Sequence, residues 1–101
     1  MGYYTNYTLK VVNAEPEDIR QPLKEISGYI GWYTYGRKIC LSEAKWYDHK
    51  DDMIRLSKMF PDVKFELHGA GEDGDQWMIY ALNGQIENCP GRMEFAKRTL
   101  W

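Results

Sequence analysis

The sequence predicts an α+β fold in which one face of a sheet carries two helices, and three observations point to it. Apolar and β-branched residues alternate through "YYTNYTLKVVN" and "DVKFELHG", the period of a half-buried strand. In "EDIRQPLKEI" and "DDMIRLSKMF" they recur instead at helical spacing, the pattern of a surface helix with one apolar stripe. Asn83-Gly84 then separates two more strand-like runs, and Asn-Gly is the dipeptide best suited to a tight hairpin turn.

Each element follows in order. The first strand ends near Asn13, with Tyr7, Leu9 and Val11 on one face and Thr8, Lys10 and Val12 on the other. Ile19, Leu23 and Ile26 then share a helix face. The spacing of Asp18 and Gln21 matches a capping box, so the helix is expected to start between 16 and 19, with Pro22 about one turn in, where it removes little hydrogen bonding. Ser27 and Gly28 end it. The stretch "GYIGWYTYGRK" fits either a short hairpin or an irregular aromatic loop. A second strand, "ICLSEAKWY", is expected to reach Trp46 or Tyr47.

Asp48 follows that strand as an expected N-cap, its carboxylate accepting from an unpaired backbone N–H. Asp51 and Asp52 suit the positive end of the helix dipole. Met53, Leu56, Met59 and Phe60 give this helix its apolar face, and Pro61 stops it. Val63, Phe65 and Leu67 are expected to point inward on the next strand, with Lys64, Glu66 and His68 outward. "GAGEDGD" turns into "QWMIYAL", the Asn83-Gly84 hairpin leads into a short strand, and "RMEFAKRTLW" reads as a short terminal helix. Elements of this order form a two-layer α+β sandwich, an antiparallel or mixed sheet with both helices on one face. The split βαβ, or ferredoxin-like, arrangement is its natural closed form.

The 101 residues make one domain, 1–101, long enough to bury a core without a metal or disulfide. A formal charge of −2, from 13 basic and 15 acidic side chains, argues against a general phosphate-backbone binder. Without an apolar run of membrane-spanning length or a leader-like start, the chain is expected in the cytoplasm. Cys40 and Cys89 match no metal or redox spacing and read as buried free thiols. Eight Tyr, four Trp and three Phe exceed what so small a core holds, so some belong on contact surfaces. Those spare aromatics also fit a homodimer.

Four constellations invite a chemical reading. His49 with Asp48, Asp51 and Asp52 resembles a metal or acid–base group, but a divalent site wants three converging ligands, and a capped helix start explains the same residues. His68 beside Glu66 lacks a nucleophile placed by the sequence. "GAGEDGD" lacks the Lys and following helix of a phosphate loop, and Glu72, Asp73 and Asp75 would repel phosphate. As an acidic turn it could meet a basic protein surface. "GYIGWYTYGRK" interleaves aromatics with Arg37 and Lys38, which suits base stacking, a packed cluster or a dimer contact.

The run "KWYDHKDDMIRLSKMFPDVKFELHGAGEDGDQWMIYALNGQIE", Lys45 to Glu87, resembles the ferredoxin-like domain of YubB-type plasmid proteins and related phage open reading frames. The motifs are the K-W-Y strand end, D-H-x-x-D-M, L-S-K, P-D-V, F-x-L-x-G-x-G-E, G-D-x-W and the N-G turn. The "ALNG" after Tyr80 departs from the pattern at an aromatic position, and residues 1–44 carry no resemblance. The resemblance implies a mobile-element origin and no catalytic residue or cofactor. Proteins of this size and origin are often inhibitors of host defence. The expectation is therefore a non-enzymatic, anti-CRISPR-like protein that contacts a bacterial defence protein through Glu72, Asp73, Asp75, Trp32, Tyr33 and Tyr35. The alternative is an oligomeric sponge for a nucleotide second messenger, with Tyr and Trp stacking the base and Arg37, Lys38 or Arg92 meeting phosphate.

Overall fold

A computed structural model of the chain describes residues 4–71, 74 and 76–90, with 88–90 described by backbone alone. The elements are β1 (Thr5–Val12), α1 (Pro16–Ser27), β2 (Tyr33–Tyr35), β3 (Lys38–Ala44), α2 (His49–Met59), β4 (Lys64–Gly71), β5 (Gln76–Leu82) and β6 (Gln85–Pro90). The strands form one antiparallel sheet in the order β2-β3-β1-β4-β5-β6. The protein is thus α+β, with a six-stranded sheet and two helices among the described residues. The expected terminal helix over "RMEFAKRTLW" lies outside the described residues.

The sheet faces follow the alternation. Tyr7, Leu9 and Val11 of β1, Ile39 and Leu41 of β3, Phe65 and Leu67 of β4, and Ile79 and Ala81 of β5 share one core with Ile19 and Leu23 of α1 and Met53 and Leu56 of α2. Both helices therefore cover the same face. The other face carries cross-strand rows fixed by register. One row runs Tyr35, Lys38, Lys10, Glu66, Tyr80, Glu87; the next begins Tyr33, Cys40, Thr8, His68, Met78. The aromatic stretch resolves as a β2–β3 hairpin, turned at Gly36 with φ 64°. Cys40, expected in the core, stands on the face opposite the helices and is half-buried.

Helix ends depart from expectation in instructive ways. α1 starts at Pro16, whose missing N–H costs nothing at the first helical position. Asp18 and Gln21 therefore lie inside the helix, and no side-chain cap bond forms. Pro22 consequently falls in the second turn, where its ring nitrogen cannot donate to the Asp18 carbonyl. Gly28 closes the helix in the left-handed region at φ 81°, donating its N–H to the Lys24 carbonyl at 2.9 Å. Asp48 does precede α2, but its carboxylate makes no cap bond. β3 stops at Ala44, short of Trp46, after a bulge at Glu43 with φ 49°, whose N–H donates to the Asn6 Oδ1 at 2.7 Å. Ser57, fully buried on α2, accepts from the Gly84 N–H at 2.8 Å and donates to the Ile54 carbonyl at 3.0 Å. That pair of bonds ties the Asn83-Gly84 hairpin to the helix layer.

Gly69 has a steric role. It pairs across the β4–β5 ladder with Trp77, whose indole lies flat over it, so that an added Cβ would collide with the ring. Gly69→Ala is expected to displace Trp77 and destabilise the protein by about 1–3 kcal/mol, the usual cost of forcing volume into packed space. Urea unfolding followed by tryptophan fluorescence would read both effects.

Candidate interaction surfaces

The residues with chemical potential near the start of α2 are used internally. Trp46 follows β3 and turns into the core at 2% exposure, its indole Nε1 donating to the Asp52 Oδ2 at 2.7 Å. Asp52, expected in a solvated first turn, is 4% exposed because its other oxygen accepts from the Arg55 Nη1 at 2.9 Å. Two charge-assisted donors offset the cost of burying the carboxylate. The Trp46 backbone is held as well. Its N–H donates to the Tyr7 hydroxyl at 3.2 Å, and its carbonyl accepts from that hydroxyl at 3.4 Å and from the His49 Nδ1 at 2.9 Å.

Rings complete this junction. Trp46 meets Tyr7 and Trp32 edge-on, both at 5.3 Å between centroids. His49 stacks on Trp77 at 4.7 Å with an interplanar angle of 21°. Since a carbonyl can only accept, the His49 proton sits on Nδ1. Burial holds the imidazole pKa below its usual value, the neighbouring Lys50 adds to that, and the Trp46 carbonyl, Asp52 and Asp48 oppose it. Burial likewise pushes the Tyr7 phenol up. His49 thus faces a carbonyl and an indole, while Asp52 faces Trp46 and Arg55, so the two do not form an acid–base dyad. His68 lies on the sheet face opposite the helices, its Nε2 3.2 Å from the Gln76 Oε1. Among the described residues no three His, Cys, Asp or Glu side chains converge as metal ligands would.

The predicted contact residues separate. Trp32 is a core residue, 2% exposed, its Nε1 donating to the Ser27 Oγ at 2.9 Å; a surface role for it is corrected by that burial. Tyr33 and Tyr35 are 47% and 74% exposed on the edge strand β2. Glu72, Asp73 and Asp75 lie outside the described residues, as does Arg92. Arg37 pairs with Glu15 at 3.6 Å and donates to the Ala14 carbonyl at 3.3 Å, on the helix side.

Sequence reasoning missed further exposed large side chains. At the end where Thr5 pairs with both Ala44 and Gly71, Tyr4 is 41%, Ile30 86% and Tyr47 72% exposed. The Lys45 Nζ lies 4.7 Å from the Tyr4 ring centroid, and the Tyr29 hydroxyl donates to the Lys45 carbonyl at 2.8 Å. That bond brings the loop bearing Ile30 beside the segment bearing Tyr47. The signal available was "GYIGWY", where an isoleucine between glycines has no helix or strand face to bury it.

No described helix is long and apolar enough to cross a membrane. Comparison of the chain with protein-family models, curated proteins and solved structures finds no significant match.

The His49 arrangement predicts a pH signature. A histidine whose folded pKa lies below its unfolded value of about 6.5 is protonated more readily in the unfolded chain. Its contribution is complete above that value and is lost as pH falls through the folded pKa. The melting temperature is expected to drop between pH 7.5 and 5, and His49→Gln is expected to flatten that drop. Calorimetric melts of both proteins across the range would show it.

Proposed function

We propose that the chain is a non-enzymatic binding protein of mobile-element origin that blocks a bacterial defence protein by direct contact. The observation that carries this reading is the group of large exposed side chains Tyr4, Ile30 and Tyr47, to which the sequence adds the acidic run Glu72, Asp73 and Asp75 as a contact candidate. Large apolar side chains within a polar rim are the anatomy of a protein contact, and isolated domains rarely leave such side chains grouped without use. The internal engagement of His49 and Asp52 supports a role in packing rather than in a reaction. The origin rests on the resemblance of Lys45 to Glu87 to the YubB-type domain. We also read β1-α1-β2-β3-α2-β4 as a ferredoxin-like core extended by the β5–β6 hairpin, because the order β2-β3-β1-β4 with antiparallel neighbours is the order such a core requires.

The test begins with immobilised protein and bacterial lysate, followed by assay of the recovered protein's activity with and without the purified chain. A defence enzyme is expected to be recovered and inhibited. Ile30→Asp and Tyr47→Asp are each expected to weaken its binding by about 30-fold, the effect of removing an interface anchor worth about 2 kcal/mol. Full binding by both variants, or a large thermal stabilisation by cyclic nucleotides with no protein captured, would overturn the reading.

A further inference from the structure

The sheet face opposite the helices places two lysines side by side, with the Glu66 carboxylate opposite one of them. Lys10 and Lys38 are direct register partners across the β1–β3 ladder, and both are exposed. Like charges placed directly opposite in a sheet are destabilising. Among the described residues neither lysine makes an ion pair or hydrogen bond. They line a depression of about 350 Å³ with Thr8, Glu66, His68 and Met78, and Glu66 is the register partner of Lys10 across the β1–β4 ladder.

Two aromatic rings adjoin the lysines on the same face. Tyr35 pairs with Lys38, and Tyr33 pairs with Cys40 one row on. Alternation along β2 places both tyrosines outward, about 7 Å apart at two-residue strand spacing, while Thr34 between them turns to the helix layer and donates to the Glu17 Oε2 at 3.0 Å. Tyr33 is steadied by its hydroxyl, 3.5 Å from the Ser42 Oγ. The exposure of Tyr35 at 74% leaves a full ring face for contact.

We infer that this corner, Tyr33, Tyr35, Lys38 and Lys10, binds single-stranded nucleic acid. The tyrosines supply stacking platforms for unpaired bases, and the two lysines supply the charge that a phosphodiester backbone neutralises. An anion between Lys10 and Lys38 offsets their mutual repulsion on the β3 side, where the Glu66 carboxylate opposite Lys10 on β4 does not lie between them. A duplex keeps its bases stacked inside and has no ring to offer Tyr33 or Tyr35, so the corner selects single strands. The modest charge of two lysines makes this a weak site. The inference concerns a different face from the Tyr4–Ile30–Tyr47 cluster and does not rest on the proposed function.

Fluorescence anisotropy with a labelled mixed-sequence DNA 12-mer, its RNA counterpart and the corresponding DNA duplex tests it. Both single strands are expected to bind at least tenfold more tightly than the duplex. Neutralising two phosphates predicts a slope of about −1.4 for log affinity against log salt. The double variant Lys10→Gln with Lys38→Gln is expected to lose at least tenfold and to flatten that slope. Its melting temperature should be little changed, because the lost Lys10–Lys38 repulsion and the lost Lys10–Glu66 attraction oppose each other, so lost affinity would not reflect unfolding. Tyr33→Ala with Tyr35→Ala is expected to lose at least tenfold with the slope retained, and Ile30→Asp to bind as the parent does. Absence of binding, a duplex bound as well as the single strands, or affinity indifferent to the lysine and tyrosine changes would overturn the inference. So would tyrosine variants that keep the oligonucleotide but lose a captured protein.

Discussion

The bond between the Trp46 indole and the Asp52 carboxylate is the constraint around which the rest of this molecule is arranged. It joins the segment leaving β3 to the first turn of α2, and both partners are nearly inaccessible to solvent. A buried carboxylate without donors would be costly; Asp52 has the indole on one oxygen and the Arg55 guanidinium on the other. With Trp46 fixed, its backbone N–H and carbonyl become the partners of Tyr7 and His49, and its ring becomes the wall for Trp32 and Tyr7. One contact thereby sets how the strand end, the second helix and the central strand meet. A neutral, well-packed replacement of the same shape need not be less stable, so the bond matters for which arrangement forms as well as for how firmly.

The same junction shapes what is left for function. His49 and Asp52 are committed to the interior, and Trp77 is laid over Gly69 where the imidazole can stack on it. Two regions among the described residues remain outward. One is the strand end with Tyr4, Ile30 and Tyr47; the other is the corner of the sheet face opposite the helices with Tyr33, Tyr35, Lys38 and Lys10. The first is apolar, which suits a protein surface. The second interleaves rings with positive charge, which suits a polyanion with exposed bases. A protein of net charge −2 can hold both because charge acts locally, over about a Debye length of 8–10 Å.

How much of this the chain declared in advance can be traced residue by residue. Alternation at Tyr7, Leu9 and Val11 and at Val63, Phe65 and Leu67 was legible because one covered face imposes a two-residue period. Gly28 and the Asn83-Gly84 turn were legible because left-handed backbone selects few residue types. The helix starts were placed where they fall, but their caps were misread, since Asp18 and Asp48 look like capping side chains by local chemistry while α1 enters at Pro16 and neither carboxylate makes a cap bond. Asp52 nevertheless shares its helix stripe with Met53, Leu56 and Ser57, and that spacing marked it as inward-facing. Trp32 could not be separated from Tyr33 and Tyr35 by composition, because a three-residue strand gives too little periodicity to assign sides. The meetings of Gly69 with Trp77 and of Lys10 with Lys38 depend on register between strands, which no single segment contains.

A double-mutant cycle on Trp46→Phe and Asp52→Asn, read by urea unfolding, addresses the central constraint most directly. A hydrogen bond to a charged group predicts a coupling of about 1.5–3 kcal/mol between the two changes. Strictly additive losses would contradict the account, since Trp46 and Asp52 would then be neighbours that merely share the core.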